Sequence, residues 1–150
     1  MNKFTENNPS IESPSTPFMD PSGKEVTLHE FKDNWTLINF WATWCAPCIS
    51  ELPSLAKLES IINNSKFKLL LISIDRSGPR VFQPFLKKLG LTSLKSGSDP
   101  KASLMRKLGL AGIPTTLLIS PTGKVVGKLE GAAKWDTPSA VELVNFYLRN

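Results

Sequence analysis

The sequence predicts an α/β domain in which a central mixed β-sheet is flanked by helices. Three observations carry that expectation. An apolar strand-like run over 36–41 passes directly into a helical run that begins near Ala46. A continuous apolar run over 68–74 has the character of a central strand buried on both faces. Near the C-terminus, two short strand patterns flank the turn Pro121-Thr122-Gly123-Lys124, and a capped helix follows them. The order is strand, helix, strand, then hairpin and helix, with a right-handed crossover in the parallel part.

Taken along the chain, residues 1–17 are polar and proline-rich, with Asn2, Asn7, Asn8, Pro9, Pro14 and Pro17. That composition predicts a disordered linker, leaving 18–150 as the single folded domain. The segment has no apolar stretch of the kind a signal peptide or membrane-spanning helix needs. In the helix after the first strand, Pro47 suits the first turn, where its missing N–H would have no partner in any case. Pro53 lies deeper and is expected to remove a hydrogen bond and kink the axis. Ser77-Gly78-Pro79 ends the second strand, and a helix over 80–89 follows, with Pro84 marking a late start or a bend. A short helix over 101–108 closes at Gly109. Strands over 115–120 and 125–130 form the hairpin, and Asp136 or Thr137 caps a last helix that opens with Pro138. Asp75 and Arg76, at the end of the second strand, read as a local pair.

A chain of 150 residues with 41% apolar and 21% charged side chains is that of one ordinary globular domain. Its 18 basic and 13 acidic residues leave a net charge of +5, but no basic run is longer than Lys87-Lys88. Nucleic-acid binding calls for a basic stripe with interleaved aromatics, and none is present. A solvated, mildly basic face biased toward acidic partners fits better.

The chemistry is concentrated in Trp44-Cys45-Ala46-Pro47-Cys48 and in Glu51, three residues further on. Cys45 and Cys48 are the only cysteines. The N-terminus of a helix presents unpaired N–H groups and a partial positive charge, so a thiol placed there ionises readily. Cys45 is therefore the expected nucleophile toward a partner's disulfide, and Cys48, one turn on, the residue that resolves the mixed disulfide. As a structural staple the pair closes so short a loop that it would contribute little. With His29 as the single histidine, two thiolates do not complete a closed zinc site. Copper(I) on two thiolates stays open as an alternative. Glu51 lies on the same helix face as Cys48 and is either a solvated acid complementing the helix dipole or a proton acceptor. Phe40 and Trp41 read as core, Trp44 as a surface residue meeting partners, and Trp135 as either.

The block 39–53 resembles the thioredoxin-like TlpA/ResA family of thiol:disulfide oxidoreductases. So does Gly112-Ile113-Pro114-Thr115-Thr116, the segment where this superfamily carries a cis-proline beside the active site. Asp20-Pro21-Ser22-Gly23-Lys24 resembles the hairpin that precedes the core in the same family. The resemblance runs from about Phe18 to the C-terminus. It implies a thioredoxin fold with an N-terminal hairpin extension and a central αβ insertion. Thioredoxin's buried Asp, six residues before the first cysteine, is here Asn39, and the family's acid after the second cysteine is Glu51. Thr115 and Thr116 stand where the CcmG-type members carry an acid, so the likeness leans toward TlpA and ResA.

The resemblance implies a protein-disulfide reductase in cytochrome c or cytochrome oxidase copper-centre maturation. Cys45, Cys48 and Glu51 are its expected catalytic residues. Trp44, Ile113 and Pro114 are expected to meet substrate, with Pro47 as structural support. No metal or other cofactor is expected beyond the redox-active disulfide itself. The implied partners are client protein disulfides and an upstream thiol electron donor such as a membrane reductase, with contact to the membrane only through an anchor outside this chain. The implied location is the periplasmic side of a bacterial inner membrane, with the cytoplasm as alternative. A copper(I) carrier using the same cysteine pair, and a general disulfide oxidase or isomerase, are the competing functions.

Overall fold

In the computed structural model, which describes residues 3–150, eight strands form one sheet. They are β1 (Phe4–Glu12), β2 (Phe18–Met19), β3 (Glu25–Val26), β4 (Trp35–Trp41), β5 (Phe67–Ser73), β6 (Ser96–Ser98), β7 (Thr115–Ile119) and β8 (Lys124–Glu130). Their order across the sheet is β1-β8-β7-β4-β5-β6-β2-β3. The β4–β5 and β5–β6 pairs are parallel and the others antiparallel, so the sheet is mixed, as expected. The helices are α1 (Ala46–Ile61), α2 (Pro79–Lys88), α3 (Ser103–Lys107) and α4 (Pro138–Leu148).

The apolar run of β4 is buried from Thr36 onward because helices and loops cover both of its faces. Period-2 alternation sends Leu37 and Trp41 into one core with Leu52 and Leu55 of α1 and Val144 of α4. Ile38 and Phe40 enter a second core with Phe18, Leu28 and Leu104. Asn39 falls between Leu37 and Trp41, so it faces α1. This single register choice puts a polar side chain under the active-site helix.

Several local expectations hold. Thr137 caps α4, its Oγ1 accepting from the Ala140 N–H at 3.2 Å, with Pro138 next. Asp20 shapes the β2–β3 turn by accepting from the Ser22 and Lys24 N–H groups at 2.9 and 3.0 Å. Helix α1 runs through Pro53, whose exposed position costs the helix one internal bond without ending it. Helix α2 likewise runs through Pro84, and it starts at Pro79 rather than later. Strand β6 carries only Ser96-Gly97-Ser98; Gly97 is needed there because a Cβ would lie 2.5 Å from the Met19 carbonyl of β2.

The linker expected over 1–17 is corrected. Met1 and Asn2 lie outside the described residues, but Phe4–Glu12 form β1, the edge strand against β8. An edge strand has a side with no ladder, so it tolerates Pro9. Its register is interrupted between Glu6 and Ile11, so the strand shows no alternating pattern in sequence. The strand is tied down at long range: Tyr147 of α4 donates from its hydroxyl to Glu6 at 2.6 Å, and Phe4 packs on the Tyr147 ring at 6.0 Å. Gly127 of β8 admits this close approach, since a Cβ there would press on the Phe4 ring and sit 2.9 Å from the Thr5 carbonyl. Gly127→Ala is expected to lift β1 and lower stability by about 1–3 kcal/mol. Amide exchange should rise at residues 4–12 and stay slow in β4 and β5; unchanged protection at 4–12 would contradict this packing.

Candidate active site

The redox pair sits where β4 ends and α1 begins. Cys45 is the N-cap of α1, with its sulfur accepting the Cys48 N–H at 3.3 Å. The two cysteines are disulfide-bonded, with their Cα atoms 5.3 Å apart. Cys45 is 7% exposed and Cys48 is 0% exposed, so a partner's sulfur reaches only the first. Cys48 lies behind Cys45, sealed from solvent. Ala46 and Pro47 point to solvent and supply no polar side chain to the pair. Among the described residues, the Cys48 N–H is the single hydrogen bond to the Cys45 sulfur.

Glu51 is not the surface acid that one of its two sequence readings allowed. It is 2% exposed, one turn beyond Cys48, and three donors hold its carboxylate. Asn39 Nδ2 donates to Oε1 at 2.9 Å, while the Ala133 N–H and Trp135 Nε1 donate to Oε2 at 2.9 and 2.8 Å. Burial pushes the Glu51 carboxyl above the usual carboxylate range, against the opposing pull of the Trp135, Ala133 and Asn39 donors. Asn39 Nδ2 also donates to Thr116 Oγ1 at 2.9 Å. Its Oδ1 is buried without a partner.

The loop before β7 completes the site. Thr115 pairs with Phe40 near the end of β4, which brings 111–114 to the same end of the sheet as the cysteines. The Ile113–Pro114 peptide is cis. Ile113 is half-buried against the core cluster that contains both cysteines. Thr115 Oγ1 donates to the Gly112 carbonyl at 2.6 Å, and the Gly131 N–H donates to the Pro114 carbonyl at 2.8 Å. Trp44, beside Cys45, is 68% exposed. The structure thus brings Trp44, Cys45, Pro47, Cys48, Glu51, Ile113 and Pro114 to one end of the sheet.

Comparison with known proteins agrees with this geometry. Residues 5–144 match the family model described as Redoxin. The chain belongs to the redoxin family. Within it, the chain is a TlpA/ResA-type thiol:disulfide oxidoreductase of thioredoxin fold. It is 28% identical over 120 residues to the thiol-disulfide oxidoreductase ResA of Bacillus subtilis, a match covering 80% of this chain and 66% of that one. The thiol:disulfide interchange protein HelX of Rhodobacter capsulatus is 30% identical over 117 residues, covering 75% of this chain and 63% of its own. The chain therefore spans about two thirds of the length of these relatives. Among solved structures, StoA from Bacillus subtilis superposes with a TM-score of 0.70 at 23% identity, covering 91% of this chain and 98% of that one. A secreted thiol-disulfide isomerase from Corynebacterium glutamicum superposes at 0.76 with 19% identity, covering 98% and 90%; at these identities both show the fold.

Two parts of this redoxin's site lay outside the sequence reading. Trp135 is fully buried and holds Glu51, and Ser54 Oγ fixes the loop that carries it by accepting the Trp135 N–H at 3.1 Å. Asp75 does not pair with Arg76. It is 4% exposed and accepts the Thr43 N–H at 3.1 Å, Thr43 Oγ1 at 2.7 Å and Ser73 Oγ at 2.6 Å. Asp75 is a positioning residue, because it anchors the β4–α1 corner two residues before Cys45. Asp75→Ala leaves the Thr43 N–H and the Ser73 hydroxyl short of an acceptor, at a cost of about 1–3 kcal/mol. The expected result is a lower Tm together with slower disulfide exchange per folded molecule; a lower Tm with unchanged exchange would contradict the positioning role. Among the described residues no cluster of three or more His, Cys, Asp or Glu is placed to hold a metal ion, and no helix is long and apolar enough to cross a membrane.

Proposed function

We propose that this redoxin is a reductase of client protein disulfides on the periplasmic side of a bacterial inner membrane, serving cytochrome c or cytochrome oxidase copper-centre maturation. The observation that carries the reducing direction is the lone donor at the Cys45 sulfur. Strong oxidants of this chemistry favour their reduced form by stabilising the thiolate heavily. Here one backbone N–H and the helix terminus do that work, without help from Ala46 or Pro47.

In the forward cycle the Cys45 thiolate attacks one sulfur of the client disulfide. A Cys45–client S–S bond forms, the client S–S bond breaks, and the leaving client thiolate takes a proton. Cys48 passes its proton to Glu51, and its thiolate attacks the Cys45 sulfur. The mixed disulfide breaks, the second client thiol leaves, and the Cys45–Cys48 disulfide remains. Two electrons have moved to the client, and an upstream dithiol donor, for which a membrane reductase is suited, returns them. Trp44 and the Ile113–Pro114 loop receive the client: the described chain makes no hydrogen bond to the Ile113 N–H or C=O, which suits pairing with an extended peptide. Pro47 supports the first turn of α1. The cysteine pair is the electron carrier, so the cycle needs no other cofactor.

The test is single-turnover reduction of an oxidised Cys-x-x-Cys-His peptide by the reduced protein. The reading predicts one peptide disulfide reduced per protein disulfide formed. Failure to reduce it, with copper(I) retained through desalting in reductant, would make the pair a metal carrier instead.

A further inference from the structure

Beside the cysteines lies an open groove of about 1110 Å³. Thr43 and Trp44, the two residues before Cys45, line it together with Arg76, Lys101 and Arg106. None of these three cations is in an ion pair among the described residues. The single carboxylate of the lining, Asp75, is held by Thr43 and Ser73, so it is unavailable to neutralise them. Arg106 Nη1 donates to the Lys101 carbonyl at 2.7 Å, which leaves the other guanidinium N–H groups for a ligand. Ile74, Val81 and Ala102 add apolar surface to the lining.

We infer that this groove is a docking site for an extended client segment that carries acidic side chains next to its disulfide. The inference rests on the reductase reading and adds the class of client to it. Three cations against one engaged carboxylate give the lining a net positive charge, and the exposed indole of Trp44 offers an apolar platform next to Cys45. An anionic strand laid over Trp44 meets the charges of Arg76, Lys101 and Arg106 while its cysteine faces Cys45. Charges at such a rim act chiefly on encounter and on selection among partners. The preference should therefore appear in kcat/KM and weaken with salt.

The experiment compares three disulfide peptides that share one Cys-x-x-Cys core and differ in flanks of about four residues, roughly 13 Å when extended. The flanks are Glu-rich, neutral or Lys-rich. The wild-type protein is expected to reduce the Glu-rich peptide with kcat/KM about 3- to 10-fold above the neutral one, and the Lys-rich peptide below it. In the triple variant R76E/K101E/R106E the ratio of acidic to neutral kcat/KM should fall below one. Lys66→Glu, which changes charge at the opposite end of β5, should leave that ratio at its wild-type value. Equal kcat/KM for the three peptides, or a ratio that Lys66→Glu alters as much per charge as the groove variant does, overturns the docking site while the reductase reading stands. No reduction of any peptide removes both.

Discussion

Cys48→Ala is expected to convert the protein from a turnover catalyst into a trap. In the proposed cycle, the fully buried position of Cys48 and the slight exposure of Cys45 separate the two halves of the reaction. Attack on the client needs only Cys45, its cap from the Cys48 N–H, and the helix terminus. The alanine retains that N–H, so the first step survives. Resolution needs a thiol one turn along α1, and none remains. Mixed disulfides between Cys45 and clients should accumulate as slow bands on non-reducing gels and vanish with reductant. Multiple-turnover reduction should fall by about 10³-fold or more, as expected when a covalent intermediate loses its resolving nucleophile. Undiminished turnover in Cys48→Ala would show that an outside thiol resolves the intermediate. The site would then work by a one-cysteine mechanism.

Glu51→Gln should slow resolution by about 10²-fold near neutral pH, the lower end of what positioned proton transfer supplies. The fold should survive the change. The introduced side chain can keep its oxygen toward the Ala133 and Trp135 donors and turn its amide nitrogen toward Asn39. A half-turn of the Asn39 amide then brings its unpartnered Oδ1 to accept from that nitrogen. The same half-turn serves a protonated Glu51, so Asn39 accommodates both states of the acid. Because burial raises the Glu51 carboxyl, it becomes a base only above the usual carboxylate range. The wild-type resolution rate should climb with pH through that raised value, and the glutamine variant should lack this limb. The stability effect has the opposite sense. A carboxyl raised in the folded state adds stability that is fully present below its unfolded value, about 4.3, and is lost as pH rises through the folded value. The wild type should therefore lose stability relative to the variant across that window. Identical rate profiles from pH 5 to 9 would remove Glu51 from proton transfer.

What could be read from the sequence was local. The β4–α1 corner, the Cys45 cap, the β7–β8 hairpin and the Thr137-Pro138 cap each announce themselves within a few residues. What escaped was held together over distance. Glu51 meets Trp135 and Ala133 across 84 and 82 residues, and Thr43 meets Asp75 across 32. Strand β1 owes its place to β8 and to Tyr147, while its own residues are those of a linker. One signal was present. Asn39 interrupts an apolar strand, and a polar side chain buried there requires partners. Its register points it at α1, where Glu51 is the acid within reach. Trp135 gave a weaker sign of the same kind, because a buried indole seeks an acceptor for its N–H.

The most direct test is the reduction potential of the Cys45–Cys48 pair. It can be set with thiol redox buffers and read by fluorescence from Trp44, beside the pair, and Trp135, at Glu51. The reductase reading predicts a value near or below about −230 mV, on the thioredoxin and glutaredoxin side of the scale. A value of about −180 mV or higher would contradict it and make the pair an oxidant or isomerase.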